Sequence, residues 1–313
     1  MKDINTFLYI SLVRYKALNL ILKKFEKHKI TLILDLEDSV QDLFSKKNNF
    51  LLKKLARNGL LYLSEKKILR NIPVFIRINS QNSIFYSQDL NIVKKAIKKG
   101  LNIKGIFLPK VDKYNQVTRL YNKLNYKKKT FSIVPIIETK EGLKNLKNIL
   151  FEDQKKNIIH YIHYGHYDFC LDNNFWPFPE PYHLEFWEIV RSINKIIIEF
   201  KKKYIHTPFP LTENDNIYWS SVNYMRKNLK ISEINLSLVN INMKYIKKRK
   251  NLKKVNQKKI STDVHYKRMF AEKIVNEYFA NKSNNKSFSL SKKRFIPPHL
   301  YLAAKKFIKS KVK

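Results

Sequence analysis

Apolar runs recur along the chain at a steady spacing and alternate with Lys-rich stretches of helical period. The runs read TFLYISL (6–12), ITLILDL (30–36), PVFIRIN (73–79), IKGIFLPK (103–110), FSIVPIIE (131–138), IIHYIHYG (158–165), YIHTPF (204–209) and ISEINLSL (231–238). Amphipathic segments lie between them, among them ALNLILKKFEKH, NNFLLKKLARNGLLYLSEKKIL, LNIVKKAIKKG and VNYMRKNLK. In LNIVKKAIKKG, Leu90, Val93, Ala96 and Ile97 recur at helical spacing and Gly100 is a natural stop. The runs are continuous rather than alternating, as expected for parallel strands covered by helices. Eight strand–helix units in about 240 residues predict a (β/α)₈ TIM barrel, an α/β fold. An open doubly wound sheet fits less well. No GxGxxG or GKS/GKT loop follows any strand, and the chain has only 5 glycines.

Past residue 240 the pattern changes. NMKYIKKRKNLKKVNQKK (242–259) is a dense basic run, and STDVHYKRMFAEKIVNEYFANK predicts a helix capped by Ser261, Thr262 or Asp263. A polar stretch then leads into RFIPPHLYLAAKKFIKS, read as a short turn and a final helix. The expected organisation is a barrel domain over 1–240 that carries the catalysis, then a basic linker and helical appendage over 241–313. That appendage is expected to cover the barrel mouth or to be exchanged with a neighbouring subunit. No internal repeat is visible beyond the β/α period.

Composition narrows the class. Of 313 residues, 44% are hydrophobic and 13% aromatic, which excludes general disorder. The single cysteine, Cys170, excludes a disulfide framework and any multi-cysteine metal site, and it reads as core filling. No apolar run is long enough to span a bilayer. The N-terminal MKDINTFLYISLVRYK, with Asp3 and with Arg14 breaking its short apolar stretch, is a poor signal peptide, so a cytoplasmic location is expected. Lys+Arg 63 against Asp+Glu 25 gives a formal net charge of +38. Such an excess usually signals a polyanion partner. Here it is spread from end to end and travels with abundant Asn and Ile, the bias an AT-rich coding sequence produces. Solvated basic faces are the reading preferred.

In a barrel, chemistry gathers at the carboxyl ends of the strands. There the uncommon polar residues fall: Asp35, Glu37 and Asp38 after strand 2, Arg77 and Asn79 after strand 3, Lys110 after strand 4, Glu138 after strand 5 and Asp168 after strand 6. Helix caps account for some carboxylates of this kind, and Arg77 could simply pair with Glu37.

Five segments in order resemble the HpcH/HpaI aldolase superfamily, in particular its citrate lyase β-subunit-like (CitE-like) members. They are LILDLEDSV (32–40), followed by Lys53, Lys54, Ala56 and Arg57; VFIRINS (74–80); GIFLPKVD (105–112); IVPIIETKEGL (133–143); and YGHYDFCLD (164–172). The final PHLYLAAKKF weakly echoes the terminal helix of that family. The resemblance implies that Glu138 and Asp168 are the two carboxylate ligands of one Mg²⁺ or Mn²⁺, with positions left open for water and a bidentate oxoacid. It casts Arg77 as the catalytic partner of the substrate carboxylate and of a developing enolate oxygen. Glu37 and Asp38 become supporting catalytic groups that orient Arg77 or metal waters, or move a proton. Lys110 and His166 are further candidate substrate contacts. The implied activity is a carbon–carbon lyase or aldolase working through a metal-stabilised enolate of a small oxoacid or an acyl-CoA thioester. A homo-oligomer, trimeric or hexameric, is implied with it.

Two departures qualify this. The family's opening Arg and Pro-Gly are missing from NTFLYISLVRYK, and FIPPHL (295–300) lacks the acidic residue that thioester-cleaving relatives place there. Aldolase-type oxoacid chemistry gains weight accordingly. A catalytically drifted barrel acting as a binding or scaffold subunit stays open. A nucleic-acid binder using 242–259 is disfavoured, because no aromatic-interleaved motif occurs there. The aromatic segment NNFWPFPEPYHLEFW (173–187) is expected over the mouth, as either a packed loop or a pocket wall. His160, His163 and His166 are three apart, so they do not share a strand face. His160 and His163 read as structural, His166 as facing substrate, and His206 as a second candidate for the mouth.

Overall fold

All eight apolar runs become strands in the computed structural model: β1 (Ile4–Ser11), β2 (Ile30–Asp35), β3 (Val74–Arg77), β4 (Ile103–Leu108), β5 (Ser132–Ile137), β6 (Tyr161–Tyr164), β7 (Lys203–His206) and β8 (Ile234–Leu238). They pair in parallel, each with the next, and β8 closes on β1. The structure describes residues 4–18, 30–66, 72, 74–126, 130–211, 214–231, 233–239, 255–280, 289–290 and 294–310. Most of the expected helical stretch at 17–28 and most of the basic run at 242–259 lie outside the described residues. β7 stops at His206, short of the expected 209, where Pro208 and Pro210 offer no N–H to a ladder.

Helices α1 (Lys46–Ser64), α2 (Tyr86–Lys98), α3 (Tyr114–Leu124) and α4 (Lys140–Asp153) follow β2 to β5 in turn. A short α5 (His166–Asp172) and then α6 (Leu184–Glu199) follow β6, and α7 (Asp215–Lys227) follows β7. Their starts obey capping chemistry. Ser45, Thr139 and Asn214 accept the N–H of Asn48, Gly142 and Ile217. Gly100, at φ 89, ends the α2 stretch as its sequence suggests.

Strand parity sorts the side chains. On β1, Phe7 and Tyr9 enter the lumen, as do Phe75 on β3, Phe107 on β4, Val134 and Ile136 on β5, and Ile205 on β7. The intervening residues, such as Leu8, Leu34 and Ile106, join the larger core beneath the helices. Both layers are buried, which is why the runs read as continuously apolar. The lumen floor is aromatic. Phe7, Phe75 and Phe107 follow one another at ring separations of 5.8 and 5.6 Å. Gly105 on β4 makes room for the Phe75 ring, since a Cβ there would come within 2.7 Å of it.

The C-terminal part adds α8 (Val264–Ala280), a two-stranded antiparallel sheet of β9 (Ser289–Leu290) and β10 (Phe295–Ile296), and α9 (Pro298–Lys309). Asp263 is the cap residue, accepting the His265 N–H at 2.9 Å. Ala271, Ile274, Tyr278, Ile296, Leu300 and Tyr301 bury against Cys170 and Phe178, forming a second small core beside the barrel mouth. Cys170 is there as filling, fully buried, with its thiol pushed well up by burial.

Candidate active site

Parity carries polar residues to the mouth, one step above the lumen. On β2, Asp35 shares a face with Ile33; on β3, Arg77 shares one with Phe75. The register sets Asp35 opposite Arg77. Their side chains form a two-point pair, Nε to Oδ1 at 2.7 Å and Nη2 to Oδ2 at 2.6 Å. Arg77 Nη1 also donates to Asp38 at 2.8 Å and lies 3.1 Å from Glu37 Oε2. Burial would lift the Asp35 carboxyl, but Arg77 outweighs it and holds it below the usual range. For Asp38 the same contest, won by Arg77 with His299 and Lys110, ends at about 2. Glu37 goes the other way: burial and then the charge of Asp38 push it well up. Its Oε2 is buried and accepts no hydrogen bond among the described residues, Arg77 Nη1 standing 3.1 Å away as its ion-pair partner. Below this group Lys53 Nζ donates to the carbonyls of Leu36 and Glu37 and to Asn79 Oδ1, each at 2.8 Å, fixing the β2 loop to the end of β3.

Across the mouth, Glu138 follows β5 and is 3% exposed. Its Oε1 accepts the Lys110 N–H at 2.9 Å. Burial, then Asp168 and Glu37, push its carboxyl well up, and among the described residues no basic side chain forms an ion pair with it. Helix α4 is capped by Thr139, so Glu138 is free of that duty. Asp168, on the first turn of α5, meets Lys110 Nζ through Oδ1 at 3.2 Å and His299 Nε2 through Oδ2 at 3.1 Å. Gly165 lets Glu138 sit there, because a Cβ at that position would lie 2.4 Å from Glu138 Oε2. Gly165→Ala is therefore expected to displace the carboxylate and, with Glu138 in the metal-ligand role that the family resemblance implies, to weaken divalent-cation affinity by on the order of tenfold. Isothermal titration with Mn²⁺, alongside an unchanged far-UV spectrum, checks this.

Asp35, Asp38, Arg77, Glu138 and Asp168 line a cavity of about 120 Å³, with Glu37, Lys53 and Lys110 outside that lining. Tyr9 and His163 also line it. The Tyr9 hydroxyl is 3.0 Å from His163 Nε2, and His163 Nδ1 is 3.2 Å from the Ile205 carbonyl. The carbonyl requires Nδ1 to carry the hydrogen, so Nε2 accepts from Tyr9. The Arg77 guanidinium lies 4.7 Å from the centre of the Tyr9 ring. The remaining wall includes Tyr167, Thr207, Pro208 and Val239, with Phe295, Pro297, Pro298 and His299 coming from the C-terminal part. Three hydroxyls of this lining, on Ser39, Tyr167 and Thr207, are buried without a hydrogen-bond partner.

The structure thus brings Glu37, Asp38, Arg77, Lys110, Glu138 and Asp168 into one cluster. His166 lies at the cavity wall, but its ring nitrogens face the Pro179 carbonyl at 2.7 Å and the Tyr164 hydroxyl at 3.0 Å. His206 points away from the mouth and stacks on Trp187. His163, read as structural, is instead part of the cavity. The aromatic segment 173–187 does not line this cavity. Trp176 packs on Phe270 and Phe307, and Phe178 enters the second core. Tyr9, Thr207 and His299 were not singled out from sequence, and Asp35 was named among the strand-end carboxylates but given no role. For Asp35 the signal was present, as the inward continuation of Ile33; His299 had none beyond the helix-starting Pro-Pro.

The donor chemistry fits a hard divalent cation. Five carboxyl groups (Asp35, Glu37, Asp38, Glu138 and Asp168) share the mouth with three basic side chains (Lys53, Arg77 and Lys110), so acidic oxygens outnumber the cations placed to meet them. The oxygens of Glu138 and Asp168 are the ligand type Mg²⁺ and Mn²⁺ prefer.

A closed parallel β/α barrel with an acidic, arginine-anchored mouth is the setting of metal-assisted enzyme chemistry. Residues 21–205 match the HpcH/HpaI aldolase/citrate lyase family, and the chain belongs to that family. No curated protein matches it in sequence. Among solved structures, a Haloferax volcanii malate synthase ternary complex with pyruvate and acetyl-CoA is similar at TM-score 0.66 and 12% identity, over 96% of this chain and 88% of that one. RipC from Yersinia pestis is similar at TM-score 0.53 and 16% identity, over 76% and 90%. A citrate lyase beta subunit from M. tuberculosis, complexed with oxaloacetate and magnesium, is similar at TM-score 0.51 and 16% identity, over 75% and 91%. These similarities are of fold. No described helix is long and apolar enough to cross a membrane.

Proposed function

We propose that the chain is a Mg²⁺- or Mn²⁺-dependent carbon–carbon lyase or aldolase acting on a small 2-oxoacid or on the acyl end of a thioester. The observation that carries this reading is the Glu138–Asp168 pair. Two carboxylates adjoin at a buried site, and Glu138 forms no direct ion pair among the described residues, Lys110 pairing with Asp168 instead. Glu138 and Asp168 would hold the metal. When bound, it supplies Lewis-acid stabilisation of negative charge on a substrate oxygen.

The chain's own residues account for the rest. Arg77 has five N–H donors, and three are spent on Asp35 and Asp38. The remaining two serve a substrate carboxylate or the oxygen that becomes negative when a carbon–carbon bond breaks. Because Asp35 clamps the guanidinium from below, it needs no reorganisation as that charge develops. Glu37, whose carboxyl burial and then Asp38 push well up, is the proton store of the site. In cleavage a substrate hydroxyl would pass its proton to a carboxylate of the site, and the electrons of the breaking carbon–carbon bond would move to the enolate oxygen. The enolate carbon would take a proton from Glu37, which the first carboxylate's proton replaces. The unpartnered hydroxyls of Tyr167 and Thr207 are placed to meet further substrate oxygens. The C-terminal residues Phe295, Pro297 and Pro298 shield the cavity from water. Its volume suits a three- or four-carbon acid or the acetyl end of a longer thioester.

Deuterium exchange tests the proposal. In D₂O with Mg²⁺, the protein should exchange the methyl protons of pyruvate or of acetyl-CoA, as followed by NMR. Exchange on pyruvate assigns the oxoacid, and exchange on acetyl-CoA assigns the thioester. Glu138→Gln and Asp168→Asn should each lower the rate by on the order of 100-fold. Metal affinity that survived both substitutions would overturn the metal assignment.

A further inference from the structure

We infer that His299 is a nitrogen ligand of the divalent-metal site, making it a mixed carboxylate–imidazole centre that selects Mn²⁺ and similar transition ions over Mg²⁺. The inference rests on the metal reading above and deepens it.

His299 lies at the start of α9, some 130 residues beyond Asp168 in sequence, and the second core delivers it. Leu300, Tyr301 and Ala304 of α9 are buried against Ala271, Ile274 and Tyr278 of α8 and against Cys170 of α5. That packing joins α9 to the short helix carrying Asp168, so the imidazole and the carboxylate are positioned by one rigid unit. Side-chain exposure of His299 and Asp168 is 12% and 13%. One donor atom each from Asp38, Asp168 and His299 lies within 4.8 Å of the other two. The Nε2–Oδ2 separation of 3.1 Å also matches two adjacent ligands of one ion. Bonds of about 2.1 Å at a right angle place their donors about 3 Å apart.

A second observation points into the same place. Asp38, Asp168 and His299 all line the cavity described above, with Arg77 and Glu138 in the same wall. Two carboxylates and one imidazole therefore converge at the cavity wall, beside Arg77 and Lys110.

Donor type sets the metal. Mg²⁺ takes oxygen ligands and resists imidazole, whereas affinity for nitrogen rises from Mn²⁺ through the later first-row ions. An all-oxygen pair at Glu138 and Asp168 would leave Mg²⁺ competitive. Adding the His299 nitrogen tilts the same site towards Mn²⁺.

The test uses the full-length chain, stripped with EDTA and loaded with Mn²⁺ alone. Electron spin-echo modulation should show a ¹⁴N coupling of a directly bound imidazole, converting to ¹⁵N in uniformly labelled protein. In His299→Gln the coupling should disappear, and the Mn²⁺-over-Mg²⁺ affinity ratio from competitive titration should fall on the order of tenfold or more. The labelled wild-type spectrum needs no variant, so a folding defect in His299→Gln does not blunt the test. Mn²⁺ bound without nitrogen coupling, or with coupling that persists in His299→Gln, overturns the inference and leaves the metal reading standing. Failure to bind Mn²⁺ or Mg²⁺ at all overturns both.

Discussion

Arg77→Met should leave the protein largely unfolded, while Arg77→Lys should fold and be nearly inactive. The guanidinium is the one cation touching Asp35, Glu37 and Asp38 together, and Asp35 is fully buried. Methionine fills similar volume and strands these charges. Removing one partner from a buried ion pair costs about 3–5 kcal/mol, comparable to the net stability of many domains. Lysine restores the charge but not the fork that meets both oxygens of Asp35 and then Asp38. It would satisfy part of the cluster and offer substrate a mobile ammonium in place of a fixed plane. The expected result is a urea midpoint lowered modestly in Arg77→Lys and drastically in Arg77→Met. Methyl exchange on whichever substrate is active should fall on the order of 100-fold in the lysine variant. Wild-type exchange in Arg77→Lys would remove Arg77 from the chemistry.

The second large effect is acid sensitivity. His163, His166 and His206 are buried, and burial, outweighing every other influence, lowers them to about 3, 4 and 3. Unfolded, each takes up a proton near pH 6.5. Folded, none does so until roughly pH 4. Between those limits the unfolded state binds three more protons through these residues, so stability falls as pH falls, by about 4 kcal/mol per pH unit. Glu37 and Glu138 act in the opposite sense. Their raised carboxyls take protons first in the folded state and cancel up to two of the three. His206→Phe isolates one histidine. Its Nε2 makes no hydrogen bond among the described residues and its ring stacks on Trp187. Phenylalanine therefore keeps the ring packing and removes the titration, at the loss of one contact, from Nδ1 to the Tyr204 hydroxyl. Relative to wild type, the variant should gain about 2 kcal/mol at pH 5 compared with pH 8. Urea unfolding at the two pH values measures this, and parallel behaviour of the two proteins would contradict it.

The barrel was legible because both faces of every strand are buried, leaving unbroken apolar runs at a regular interval. Arg77, Glu138 and Asp168 were legible because they end or follow such runs. Asp35 was harder to see: it sits inside its run, and only the strand register reveals it as the partner of Arg77. His163 was discounted for its three-residue spacing from its neighbours, yet parity with Tyr161 turns it inward. The segment 173–187 was expected at the mouth for its aromatic content. Those rings found an apolar surface between α8 and α9 that no local pattern announces. His299 depends on the same long-range packing, so its neighbourhood with Asp168 could not be read from spacing.

The aromatic floor has a kinetic consequence. Phe7, Phe75 and Phe107, with Tyr161 6.0 Å from both Phe7 and Phe75, plug the lumen below Tyr9 and His163. Among the described residues the filled lumen leaves the cavity framed by the strand ends and residues 295–299, which would make that side the route for reactant and product. Whatever seats deepest, against Arg77, has to arrive first and leave last. A cleft with one door makes the sequence of arrivals compulsory, and product inhibition patterns should show the inner acid competing only with itself.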